Sequence, residues 1–137
     1  MRSVISLILF AFLLTSCGSS TSESISLLEG YWSIEEVILA DGSEREFPFT
    51  NHLDHFEING SKGVKSRVSP TYDGSMINYG SPVPFQWKEM GDSLLLIFKE
   101  GEQAYQQTIK KVDANTLVLL HENGTEYTYQ KFEMDEE

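Results

Sequence analysis

Short apolar runs, each closed by a turn rich in glycine, proline, asparagine or aspartate, recur along the chain from Leu27 onward. No long segment of this part carries the helical apolar period, so the pattern predicts strands. From Gly30 to Leu39, alternation puts Trp32, Ile34 and Ile38 on one face, with Glu36 out of place among them, and Asp41-Gly42 ends the run. Leu53 to Ile58 closes at Asn59-Gly60, a pair whose backbone preferences suit a tight hairpin. Val64 to Val68 alternates weakly and stops at Pro70. Ser75 to Tyr79 and Phe85 to Glu89 read as two separate strands, split by Pro82 and Pro84. The second half is plainer. Leu94 to Phe98, Gln103 to Val112, Leu117 to Leu120 and Tyr127 to Phe132 are divided by Glu100-Gly101, Asp113-Ala114-Asn115 and Asn123-Gly124.

Strands joined by such short turns form an antiparallel meander, because parallel neighbours need a crossover of a dozen or more residues. A meander must hide its edges. The fold expected is therefore all-β, a single antiparallel up-and-down barrel of about eight strands. A two-sheet sandwich is the alternative, but it usually needs long Greek-key crossings where this chain offers successive hairpins.

The first residues follow a different pattern. Arg2 precedes an apolar run from Val4 to Leu14, broken only by Ser6 and far shorter than the roughly 20 residues of a membrane-spanning helix. It ends Leu14-Thr15-Ser16-Cys17, which resembles the bacterial lipobox. The resemblance implies cleavage after residue 16 and lipid attachment at Cys17, the only cysteine of the chain. Residues 1–16 are thus expected to be a lipoprotein signal peptide. Residues 17–26, Ser-rich, are expected to be the lipidated cysteine and a flexible tether. Residues 27–133 form the barrel domain and 134–137 an acidic tail. Gly18 follows the cysteine where proteobacterial inner-membrane retention typically uses aspartate, and only Glu23 is acidic nearby. The expected address is the outer membrane, facing the periplasm, with the membrane itself as partner through the anchor on Cys17.

Charge narrows the partners. The chain carries a formal charge of −11, and loss of its first sixteen residues, whose only charged side chain is Arg2, takes it to −12. Nucleic-acid binding leaves a basic footprint, and the densest basic group in sequence is only Lys62, Lys65 and Arg67. Nucleic acid is excluded as an expected partner.

At Leu28-Glu29-Gly30-Tyr31-Trp32 the chain resembles the opening of a lipocalin, in which a Gly-x-Trp triplet begins the first strand and the tryptophan plugs the closed end. The remainder is similar to the short lipocalin-like domains of Bacteroidetes-type lipoproteins, with Trp87 on a central strand and Tyr127, Tyr129 and Lys131 on the last. The resemblance implies a lipocalin-like barrel closed by Gly30, Trp32 and Lys131. Lipocalins place an arginine over the first tryptophan; Lys131 stands nearest to that position here.

Candidate chemistry is sparse. His52-x-x-His55 would point to opposite faces of a strand and reads as surface histidines, so no metal is expected. No phosphate loop, Gly-x-Ser-x-Gly elbow or zinc-spaced Cys/His set occurs, and no cofactor or enzymatic activity is expected. The aromatics offer the best lead. Tyr72, Tyr79, Trp87, Tyr105, Tyr127 and Tyr129 are candidates to line a barrel mouth, the alternative being that they serve as core and cross-strand pairs. Two functions follow: a carrier of a small apolar or amphipathic ligand, or a filled barrel docking on an envelope protein. The lipobox makes a prediction of its own. Cys17→Ala should leave an uncleaved, unlipidated precursor, and normal partitioning of that variant into the detergent phase would refute the anchor.

Overall fold

In a computed structural model the protein is described over residues 21–46 and 52–133; Cys17, the expected signal peptide at 1–16 and the expected acidic tail at 134–137 lie outside the described residues. Its elements are α1 (Thr21–Leu28), β1 (Gly30–Ile38), β2 (Glu44–Glu46), β3 (Leu53–Asn59), β4 (Lys62–Pro70), β5 (Met76–Met90), β6 (Ser93–Glu100), β7 (Gln103–Val112), β8 (Thr116–His121) and β9 (Glu126–Phe132). From β3 to β9 each strand pairs antiparallel with the next, β3 pairs with β1, and β1 pairs with β9. That last pairing closes an eight-stranded barrel. β2 is extra, a short strand laid along the upper half of β1 at Glu36–Ile38, where β3 no longer pairs.

Register fixes what points inward. Trp32 pairs with Asp54 on β3 and with Lys131 on β9, and the same face continues around the barrel through Phe56, Phe85, Phe98, Leu96, Ile109, Leu119 and Tyr129. The interior is packed. Trp32, Phe56, Phe98, Leu96, Leu117 and Leu119 are fully buried, and each such side chain contributes about 1.5–3 kcal/mol of transfer free energy. Three aromatics meet in series: Phe85 lies 6.1 Å from Phe56 and 5.2 Å from Phe98, centroid to centroid.

Three departures from the sequence expectation have physical causes. First, the two strands expected at Ser75 to Tyr79 and Phe85 to Glu89 are one, β5, which begins at Met76. The ladder with β4 slips at this point: Lys65 pairs with Val83 and Arg67 with Tyr79, leaving extra residues on β5. Pro82 falls within that offset and Pro84 beside it, where the strand tolerates a missing N–H. Second, β1 carries a bulge between Ile34 and Glu36 in its pairing with β9. Glu36 therefore turns outward beside Thr128, and Val37, not Ile38, is the buried residue above Ile34. Third, residues 21–28 form a helix and not part of a flexible tether. Ile25 and Leu28 lie three apart on one helical face and are buried, 4 % and 0 % exposed. Eight residues are too few to hold a helix in water, so burial of this face against the barrel supplies the stability. Packed structure thus begins ahead of the expected boundary at residue 27.

Glycine without a side chain is required on the inner face at Gly63. A Cβ there would meet the Phe85 ring and lie 2.7 Å from the Glu57 carbonyl oxygen. Gly63→Ala should destabilise the domain by about 1–3 kcal/mol through overpacking, read as a lower urea midpoint with unchanged slope. A wild-type midpoint would show that the Phe85 ring yields freely.

Candidate functional site

The barrel has two unlike ends. At the closed end α1 stops against Trp32. The last carbonyls of a helix have no partners within it and carry its negative partial charge. Here the Trp32 indole Nε1 donates to the Leu28 carbonyl at 2.8 Å, and Lys131 Nζ donates to the Glu29 carbonyl at 2.7 Å. The same ammonium stands 4.7 Å from the Trp32 ring centroid, a cation–π contact. Burial pushes the Lys131 pKa below its ordinary value, against the opposing pull of Glu133 and Glu29. Gly30 is part of this arrangement. Its φ is +132°, and a Cβ on it would run into the Lys131 ammonium. Trp87 belongs to this end too, with Nε1 donating to the Gly60 carbonyl at 2.8 Å across the turn between β3 and β4.

At the other end the interior turns polar. Asp54 on β3 is buried, 8 % exposed, and faces two cations from β4: Lys65 Nζ and Arg67 Nε, each 3.7 Å from one of its carboxylate oxygens. The buried Tyr129 hydroxyl feels the charge of this carboxylate. Lys65 lies along aromatic walls, its ammonium 5.9 Å from the Phe56 centroid and 5.5 Å from that of Phe98. Arg67 is mostly exposed. Opposite them Tyr105 stacks on Phe98 at 5.0 Å and lies 5.4 Å from His121. Gln107 is buried beside them; its Nε2 lies 3.2 Å from His121 Nδ1, while its Oε1 has no hydrogen-bond partner among the described residues. Between these walls opens a pocket of about 300 Å³ lined by Asp54, Lys65, Arg67, Tyr79, Glu100 and Tyr105, with Gly80, Ser81 and Val83 at its β5 side.

Of the six aromatics proposed for a mouth, Tyr79 and Tyr105 line this pocket. The other four do not. Tyr72 is fully exposed in the turn between β4 and β5. Trp87 belongs to the closed end, Tyr129 is buried with the core, and Tyr127 packs against that core. Tyr79 also meets His52 edge-on at 4.7 Å, whereas His55 stacks on Tyr31 at 4.3 Å, so the two histidines are engaged separately. Among the described residues no group of three or more His, Cys, Asp or Glu side chains is placed to hold a metal. Sequence reasoning missed Asp54, Lys65, Arg67 and Glu100. Their signal was parity: Asp54 shares the inward phase of Phe56 and Ile58, and β4 turns Lys65 and Arg67 inward while Val64 faces out.

The chain thus forms a single antiparallel β-barrel, plugged at one end by a Gly-x-Trp opening and carrying a polar pocket at the other. The sequence model of the lipocalin-like domain matches residues 28–119, about two thirds of the chain, and the protein belongs to that family. A crystal structure of a lipocalin-like protein from Bacteroides uniformis superposes with a TM-score of 0.50, covering 77% of this chain and 99% of that one at 15% identity. This likeness is one of fold. No curated protein matches the chain.

The buried tyrosine gives the site a pH signature. Burial, and then the Asp54 charge and hydrogen bond, raise the Tyr129 hydroxyl well above its usual 10.0, with Arg67 opposing. Tyr105 is raised too, by burial first and by Glu100 and Asp54 after it. The unfolded chain ionises its tyrosines near pH 10 while these two stay protonated in the fold, so their contribution is complete below pH 10 and is lost as pH rises beyond it. Stability should fall on titration above pH 10, and less steeply in Tyr129→Phe. An equal alkaline slope in both proteins would show that Tyr129 ionises freely in the fold.

Proposed function

We propose that this protein is a lipid-anchored, non-catalytic binding module of the cell envelope that holds a small amphipathic molecule at its barrel mouth. The anchor is Cys17, and the address is the outer membrane facing the periplasm. The observation that carries the binding reading is the polar pocket above a packed interior. At about 300 Å³ it stands at the small end of ligand sites, whose usual range is roughly 300–1,000 Å³. Trp32, Phe56, Phe85 and Phe98 fill the barrel beneath it, which leaves no channel for a long acyl chain. The ligand this favours is short, with polar groups for Arg67, Lys65 and Glu100 and a flat or apolar part for Tyr79 and Tyr105. A wholly apolar ligand would strip water from Asp54 and Glu100 without replacing its hydrogen bonds, a cost such a molecule cannot offset.

Because α1 belongs to the packed unit, the chain to purify begins ahead of Thr21. A native mass spectrum of the protein taken from its own envelope should show an added small-molecule mass that denaturation removes. The double variant Arg67→Ala/Tyr105→Ala should lose most of that bound fraction while keeping its fold, since Arg67 is mostly exposed and Tyr105 is only half-buried. A clean unliganded mass, or retention of the ligand by the double variant, would remove the mouth as the binding site.

A further inference from the structure

The outer surface of the barrel is uneven in charge. Although the chain is strongly acidic, the segments 62–66, 83–88, 94–99 and 103–109 contain no aspartate or glutamate. They are also neighbours, because β4, β5, β6 and β7 pair in order over these stretches. Their outward positions carry Lys62, Lys88 and Lys99, all exposed. None of the three forms an ion pair among the described residues. Carboxylates border the face by register: Glu57 beside Val64, Glu122 beside Gln106, and Glu89, Glu100 and Glu102 at the strand ends.

A groove of about 440 Å³ runs through this face. It exists because the residues over it are small or bent back: Ala104 carries only a methyl, and Pro84 folds onto its own backbone. Val64 and Ile97 form its apolar walls, and Lys62 and Lys99 stand on its margins. The groove lies outside the barrel and is distinct from the mouth pocket, with which it shares no lining residue.

We propose that this groove docks an acidic segment of a partner protein, one apolar side chain seated between Val64 and Ile97 and its carboxylates reaching Lys62 and Lys99. Charge complementarity selects the occupant. Unpaired lysines around an apolar slot attract an anionic, apolar chain, and the acidic remainder of the surface repels such a chain everywhere else, so the encounter is steered to this face. A concave slot admits an inserted side chain, whereas a flat lipid headgroup surface would touch only its margins.

The test uses the chain without its first sixteen residues and a capped pentapeptide of sequence DEFED. Backbone amide shifts should concentrate at Ile97, Gln86 and Ala104, weaken in high salt, and lose about ten-fold in affinity in Lys62→Glu/Lys99→Glu. The uncharged peptide NQFQN should leave those amides unmoved. Any one of four results would overturn the proposal: no shift at these amides, equal shifts from NQFQN, undiminished binding by the charge-reversed variant, or shifts confined to the mouth at Arg67 and Tyr105. Pelleting with phosphatidylglycerol vesicles that the same two substitutions abolish, without peptide binding, would replace the partner by a lipid surface and overturn it as well. A reversible dimer that they abolish would do so in favour of a second copy.

Discussion

The indole of Trp32 is where the structure is tied together. It fills the closed end of the barrel, donates to the last turn of α1 and supports the Lys131 ammonium on its face. Those contacts join the helix, the first strand and the last strand at one point, and the β1–β9 seam that closes the barrel runs up from it. Remove the indole and three things fail together: the helix carbonyl loses its donor, the ammonium loses its aromatic partner, and the barrel floor opens. The lysine does what an arginine does in typical lipocalins by a narrower means. It holds one carbonyl and one ring with a point charge, and lacks the planar stacking that a guanidinium brings.

From that floor the interior is graded. Apolar packing gives way upward to Asp54, Lys65, Arg67 and the tyrosines. The gradient follows from strand parity. On the middle of β4 the usual alternation is reversed: Lys65 and Arg67 take the inward phase and Val64 faces out. An inward lysine is tolerable because its stem lies along Phe56 and Phe98 and its charge meets Asp54. The valine turned outward by the same reversal, Val64, becomes a wall of the outer groove. One strand's phase thus serves both a polar pocket within and an apolar slot without.

Much of the fold was legible because turn chemistry is local. Asn59-Gly60 and Asn123-Gly124 mark hairpins where hairpins are found, and Gly60 holds the positive φ of +64° that its turn requires. What stayed hidden is what depends on partners distant in sequence. Pro82 and Pro84 look like a break until the register slip against β4 is known. Glu36 looks misplaced until the bulge against β9 turns it out. Ile25 and Leu28 are too few to announce a helix, since the surface that stabilises it is the barrel floor. The site was less legible than the fold, for a related reason. Aromatics draw attention in a sequence, yet most of them here pack the core. Charges at inward parity carry the pocket, and inward parity is visible only once pairing is fixed. The basic outer face is likewise a product of pairing, since its lysines are scattered along the chain.

The hydrogen bond from Lys131 to the Glu29 carbonyl spans 102 positions of sequence. The chain's first packed element and its last strand are thus sealed by one another. A ribosome emits this chain from the other end, so for nearly the whole of synthesis β1 waits without the neighbour that completes it. Long-range closure of this kind is slow, because loop entropy must be lost before the contact can repay it. A nascent chain therefore remains unsealed until Lys131 has emerged. Until that contact forms, the polypeptide is an open thread of hairpins and not yet a barrel.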